Sequence, residues 1–234
     1  MRAILLFLLP LLAASVTAQR AALDVTGGLD YTYRTLMLNE APPVFQQAVD
    51  LREEWEVPIA NWHVGLHYGR QIGRQWSLRA GVRLSSLGYA LDGLTLTDEN
   101  NVTPPDGEAR TARYVSRFRF LEVPLLLRRS FGTGRWKPSV EVGFLPGKYL
   151  GATDRLYIDG KPWDEIRNGR ANESVRDFHL SATLAAGVAY AATDVLDLFV
   201  QPAFRYQLTN MRNATLSERH YAFALEVGVR RNFQ

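Results

Sequence analysis

Eight charged side chains recur at alternate positions of segments whose other positions are apolar. They are three glutamates and five arginines: Glu122, Glu141, Glu226, Arg79, Arg83, Arg128, Arg205 and Arg230. Successive side chains of a strand point to opposite faces, so we expect these groups to share one polar surface. Such a surface can form a gated polar pathway, an acid pair or a network of ion pairs. The inside of an eight-stranded barrel holds little beyond its own side chains, which favours a structural network.

Two of these glutamates flank a predicted hairpin turn. Glu122 and Glu141 lie on arms joined by a connection that contains Gly132-Thr133-Gly134, and glycine supplies the positive φ of tight turns. We expect the turn to bring the two carboxylates together. Close carboxylates resist joint ionisation unless cations lie between them, and Arg79 or Arg83 could supply that charge.

The histidines and acidic segments do not predict a metal site. His63 and His67 share a strand face, but their spacing separates them by about 13 Å, too far to bind one ion. His179 is a further candidate for the polar interior, and we expect His220 near a loop. The acidic segments lack the ligand spacing of an EF-hand loop. We therefore predict no metal and no cofactor.

Catalytic residues are not predicted either. A lipid-modifying hydrolase would need a serine with a histidine and an acid, and no serine here lies in a recognisable nucleophile motif. We predict that the protein is not an enzyme, and a lipid-modifying barrel enzyme remains the least favoured alternative.

The elements that must position these residues are two-faced strands. In the segment 121–128, apolar Leu121 and Val123 alternate with Glu122 and Pro124, the period of a strand with different environments on its faces. The pattern predicts about eight strands, near residues 23–33, 59–70, 76–96, 121–128, 139–144, 178–190, 198–208 and 221–230. The apolar face would be the inside of a soluble sandwich but the outside of a membrane barrel.

The lengths of the connections favour the barrel. The long connections span 35–57, 97–113, 150–177 and 209–219, and short turns alternate with them. Outer-membrane barrels alternate short periplasmic turns with long extracellular loops in this way, and their strands escape detection in hydropathy plots. We predict an all-β chain, a transmembrane antiparallel up-and-down β-barrel of about eight strands. An even strand number places both ends of the barrel on the periplasmic side.

The amino-terminal segment predicts export. Residues 1–18 combine Arg2, an apolar run and the small-residue ending Val16-Thr17-Ala18, which is typical of a secretory signal peptide; residues 19–234 would form the barrel domain. The chain has no cysteine and a net charge of +3. No basic stripe indicates nucleic-acid binding. The expected location is the outer membrane of a Gram-negative bacterium.

With Phe120–Arg129 (FLEVPLLLRR), Gly187–Tyr190 (GVAY) and Arg205–Met211 (RYQLTNM), the chain resembles the PorT-like outer-membrane β-barrel family of Bacteroidota. The resemblance extends over nearly all of the chain after the signal peptide. It implies a barrel of about eight strands, and the namesake of the family is associated with protein secretion. One departure is that Gln234 follows Phe233, whereas barrels usually end on the aromatic residue.

These patterns predict a non-enzymatic integral outer-membrane protein. Its role would be in envelope integrity, protein secretion or assembly, or surface interaction. The expected partners are outer-membrane lipid and envelope or secretion proteins that bind the loops 35–57, 97–113, 150–177 and 209–219. A narrow channel for small solutes is the alternative.

Overall fold

The computed structural model describes residues 21–38, 44–96, 110–132, 134–168, 175–212 and 216–233. In chain order the elements are β1 (Ala21–Leu38), α1 (Val44–Trp55), β2 (Glu56–Val57), β3 (Ile59–Gln71), β4 (Trp76–Leu96), β5 (Arg110–Glu122), β6 (Leu125–Ser130), β7 (Trp136–Ile158), β8 (Lys161–Asn168), β9 (Phe178–Ala191), β10 (Leu196–Gln207) and β11 (Leu216–Phe233). Among these residues, no helix is long and apolar enough to cross a membrane.

The strands close into an antiparallel ring of eight positions. The order is β1, β3, β4, the pair β5 and β6, β7, β9, β10 and β11, and β11 returns to β1 along its whole length. Closure removes the open strand edges that would otherwise expose unpaired backbone groups. The predicted all-β barrel of about eight strands is confirmed.

One ring position is shared by two strands because Val123 and Pro124 interrupt the ladder. Proline lacks an N–H donor, so Pro124 cannot continue the pattern of β5. The flanking backbone still bonds: Val123 N–H donates to Pro146 O at 2.8 Å, and Gly81 N–H donates to Pro124 O at 3.3 Å. Both β5 and β6 pair with β4 and β7, so they form one broken barrel strand.

The ring is staggered. Paired residues followed once around the barrel from Ala21 lead to Tyr31, ten residues further along the same strand. A stagger of this kind requires the strands to tilt, typically by about 40° from the barrel axis. Hydrogen-bonded partners on neighbouring strands therefore lie at different heights.

The two faces of the barrel are opposite to those of a soluble sandwich. On β1, Leu29 is 68% exposed and Val25 is 58% exposed, whereas Asp30 is 0% exposed and Asp24 is 1% exposed. The apolar face is outside and the charged face is inside, so the sandwich alternative is wrong. The outward apolar side chains form a continuous band, which we call the apolar band. It includes Leu66, Val82, Val142, Leu184, Val200 and Leu225.

The short turns lie at one end of the barrel, here called the turn end. The first residue of β1, Ala21, and the last residue of β11, Phe233, lie at the same end. At the opposite loop end, the structure corrects the predicted connections. β5 begins at Arg110, inside the predicted loop 97–113, and β11 begins at Leu216, inside 209–219. α1 and β2 lie in 35–57. The largest correction is in 150–177, where β7 continues to Ile158 and folds back as β8.

The β7–β8 hairpin turns at Asp159-Gly160, whose φ angles are 49° and 74°. Two positive φ values in succession are characteristic of a type I′ hairpin turn, for which Asp-Gly is a favoured sequence. This dipeptide is the signal that could have located the hairpin. The predicted signal peptide, residues 1–18, lies outside the described residues.

Candidate functional site

The eight predicted charges all lie inside the barrel or at its mouth, and their contacts divide into connected groups. Near the turn end, Arg79 contacts Asp24 at 2.8 Å and Glu141 at 2.5 Å. Arg128 donates to the same Glu141 at 2.9 Å, and Arg230 donates to Asp24 at 2.8 Å and 3.0 Å. Each carboxylate in this group therefore faces two guanidinium groups.

A second group surrounds Glu122, which has no exposed surface. Its carboxylate forms ion pairs with Arg205 and, at 3.4 Å, with Arg83. His179 Nε2 lies 3.0 Å from the same carboxylate. Arg83 also reaches Asp30 at 3.6 Å, so this group extends to β1.

Gln201 and His63 join the two groups through Glu226. Gln201 donates to Glu226 at 2.9 Å and to Glu141 at 3.3 Å. His63 Nε2 lies 3.2 Å from Glu226, and His63 Nδ1 lies 3.0 Å from Asp30. We call this connected set the lumen network: the eight predicted charges with Asp24, Asp30, His63, His179 and Gln201.

The expected acid pair does not form, because the register separates its members. Glu122 pairs with Gly147 across β5 and β7, whereas Glu141 pairs with Arg128 across β6 and β7. Glu122 lies further from the turn than Glu141 does, so the two glutamates belong to different groups. Arg83 contacts Glu122 and Arg79 contacts Glu141, rather than either arginine lying between the two.

The residues that the sequence did not assign to this network came from the same alternation. Asp24, Asp30 and Gln201 alternate with apolar residues as the eight predicted charges do, but only the pairing between strands shows which residues they contact. His63 and His179 belong to the network because the ring of each contacts a carboxylate, that of Asp30 and that of Glu122 respectively. In the part of the chain that is described, no group of three or more potential ligands could hold a metal ion.

Above the lumen network, towards the loop end, an apolar cluster lies beside buried polar side chains such as Arg34, whose Cζ is 3.3 Å from the centroid of the Tyr89 ring. Phe118 and Phe120 of β5 pack with Tyr149 of β7, and all three side chains are at most 1% exposed. The cluster, which we call the aromatic layer, consists of Leu87, Tyr89, Phe118, Phe120, Tyr149, Ala152, Val175, Met211 and Ala222. His220 lies against it, with its ring centroid 5.7 Å from that of Phe118. His220 lies four residues from the start of β11, at the loop end of the barrel, and its side chain is buried.

Beyond the apolar band, Arg34 joins two carboxylates at the loop end. It donates to Glu56 at 2.7 Å and contacts Glu218 at 3.0 Å. Burial raises the pKa of Glu56 above its ordinary value despite the bond from Arg34. Burial acts in the same direction on Glu218, but the charges of His220, Arg34 and Arg212 outweigh it and lower the pKa of Glu218.

A cleft of about 540 Å³ opens at the turn end. Its lining includes Arg74, Lys137 and Asp197, together with Asp24 and Arg230 from the lumen network. Lys137 Nζ lies 3.1 Å from Asp197, so charges of both signs are already paired here. The cleft therefore favours neither an anionic nor a cationic ligand.

Comparison with known proteins gives one family. The family model described as outer membrane protein beta-barrel domain matches residues 17–232. A search of curated proteins gives no match. Among solved structures, the outer membrane protein OprG from Pseudomonas aeruginosa is 9% identical, with a TM-score of 0.49 and coverage of 93% of this chain and 97% of that one.

Neisserial surface protein A is 13% identical, with a TM-score of 0.41 and coverage of 92% and 97%.

Proposed function

Because the chain belongs to the family of outer membrane protein β-barrel domains and so resides in the bacterial outer membrane, we propose that it acts there as a non-enzymatic, non-conducting barrel. Its role would be in envelope integrity, protein secretion or assembly, or surface interaction. The loop-end segments 35–57, 97–113, 150–177 and 209–219 would make the contacts with envelope or secretion proteins. The finer PorT-like assignment, carried by the segment Phe120–Arg129, belongs to this proposal.

The filled interior is the observation that supports a barrel without a pore. The lumen network occupies the lower part of the barrel, and the aromatic layer lies above it. Glu122 and Phe120, one from each, are both 0% exposed. A conducting path needs water-filled space lined by polar groups. The lumen network is polar, but its side chains contact one another and Glu122 is fully buried, which supports an interior without such a path.

The extracellular sheet is the surface best suited to contacts. β4, β5, β7 and β8 continue beyond the apolar band as a paired sheet, because the ladders extend to Leu96, Ile158 and Asn168. Trp163 on β8 is 63% exposed. Loops and extensions at the open end of a rigid barrel commonly contact partners.

Single-channel recording in planar lipid bilayers tests the proposal. We expect the purified protein to insert without producing unit conductance steps. The alternative of a narrow channel requires steps whose size or ion selectivity changes in Arg83→Gln, which removes a lumen charge. Arg113→Gln is the matched control, because this substitution removes the same charge from an exposed site on β5. Regular steps that respond to the first variant and not to the second would overturn the proposal.

The enzymatic alternative requires a separate assay. A lipid-modifying barrel would release fatty acid or lysolipid from phospholipid vesicles, and it would lose that activity on replacement of a buried histidine such as His179. We expect no turnover by the folded protein. Turnover that disappears in His179→Gln while the protein stays folded would show that the barrel is an enzyme.

A further inference from the structure

Three cationic side chains form a patch on the outer surface of the barrel. The proposed function does not involve this patch. Arg117 and Arg119 occupy alternate positions of β5, between the inward-facing Ser116, Phe118 and Phe120. Lys148 lies on β7, opposite Leu121. All three side chains therefore point away from the lumen, towards the surroundings of the barrel. We call them the rim patch.

The rim patch lies at the loop-end edge of the apolar band. A stagger of ten residues over eight strands displaces a level line by about one residue per strand. A line of constant height around the barrel that starts at Tyr33 on β1 therefore passes near Arg119 on β5 and Lys148 on β7. These residues lie at the same height as Tyr33. Phe178, which is paired directly with Lys148, lies at the same edge. In an outer membrane this edge faces the headgroups of the outer leaflet.

The cations of the rim patch have no acidic partner within the described residues. Arg117, Arg119 and Lys148 form no ion pair there, and Asp177, next to Phe178, forms none with them. By contrast, the outward-facing Arg219 donates to Asn210 Oδ1 at 3.1 Å. Arg117 and Arg119 lie two positions apart on one strand face, and Lys148 lies on the neighbouring strand, so these like charges repel one another unless an anion lies among them.

Below the rim patch, the surface is apolar and exposed. Leu121, Val123 and Phe144 are 42%, 49% and 52% exposed, and Phe178 is 69% exposed. Lys148 Nζ lies 5.7 Å from the centroid of the Phe178 ring. A ligand that matches both parts must have an anionic head at the height of the cations and apolar chains that descend along these side chains. A phosphorylated lipid has that form.

We propose that the rim patch is a binding site for the phosphate headgroup of an outer-leaflet lipid, with the acyl chains lying along Leu121, Val123 and Phe144. Arginine binds phosphate oxygens through two parallel N–H donors, and lysine adds a third charge. This site lies on the outside of the barrel, so it is independent of whether the lumen conducts or the loops bind a partner.

Native mass spectrometry of the full-length protein in detergent, titrated with bisphosphorylated lipid A, tests the site. One basic side chain near an anionic surface contributes about fivefold to affinity, so Arg117→Gln/Arg119→Gln should weaken binding by about 25-fold. The control is Arg135→Gln/Arg231→Gln, which removes the same charge at the turn end, where both residues are exposed. The control should bind as the native protein does.

Each outcome decides the proposal. Equal affinity in the native protein and the rim variant would overturn it, and so would equal losses in the rim variant and the control. Competition by millimolar inorganic phosphate would overturn the lipid assignment and indicate a free-anion site. The shift in gel mobility on boiling verifies that each variant is folded. If the double variant does not fold, Lys148→Gln alone should still lose about fivefold in affinity.

Discussion

Replacing Glu122 by glutamine should destabilise the barrel strongly, because it leaves buried cations without their partner. The substitution keeps the volume of the side chain and removes the charge that faces Arg205 and Arg83. Breaking a buried ion pair by removing one partner costs about 3–5 kcal/mol. The measurement is the free energy of unfolding in lipid vesicles, obtained from urea titration followed by tryptophan fluorescence.

A double-mutant cycle separates the ion pair from other effects of the substitution. Arg205→Met alone leaves Glu122 with only Arg83 and His179, and it should also be destabilising. In Glu122→Gln/Arg205→Met neither charge remains, so the combined loss should be smaller than the sum of the single losses by about 0.5–3 kcal/mol. Glu165→Gln is the control, because Glu165 pairs with Arg155 on the exposed hairpin and should cost less than about 1 kcal/mol.

A loss of stability in Glu122→Gln no larger than that in the exposed control would refute this prediction. That result would mean that water reaches Arg205 and Arg83 and solvates them when the carboxylate is lost. A hydrated lumen would also remove the main support for a barrel without a pore. A large single loss with no coupling to Arg205 would instead assign the stabilisation to the other contacts of Glu122.

Two further predictions concern the faces of the strands. Gly28→Ala should prevent folding to the heat-modifiable form, because the new Cβ would overlap the inward-facing His63 ring. At the adjacent Gly27 the nearest atom to a new Cβ is 3.8 Å away, so Gly27→Ala should fold normally. Gel mobility before and after boiling measures both outcomes. Proteins in which Trp62 or Trp163 is the only tryptophan should differ in vesicles of brominated lipid. Trp62, on the outward face of β3, should be quenched, and Trp163, on the extracellular hairpin, should not; equal quenching of the two would contradict the position of the apolar band.

The barrel could be predicted from the sequence because lipid and lumen impose different demands on alternate residues. Val25 and Leu29 face lipid while Asp24 and Asp30 face the interior, so the sequence of β1 itself alternates between apolar and polar residues. The extracellular sheet could not be predicted in the same way. Both faces of a strand such as β8 are in water, so its residues show no alternation, and only the Asp159-Gly160 turn marks it.

The candidate site could be predicted as a set of residues but not as a set of contacts. Alternation places Glu122, Glu141 and Arg79 on one surface, yet their partners depend on register and stagger. The expectation that Glu122 and Glu141 meet was wrong because the two lie at different distances from the turn: the partner of Glu122 on β7 is Gly147, six residues beyond Glu141.

The seam between the first and last strands also constrains how the protein is made. The bond from Arg230 to Asp24 joins residues 206 positions apart, and the whole ladder between β1 and β11 has similar separations. No cylinder exists until the final strand has left the ribosome, and any shorter chain has two open edges. The ring can therefore close only after β11 has been synthesised and has paired with β1.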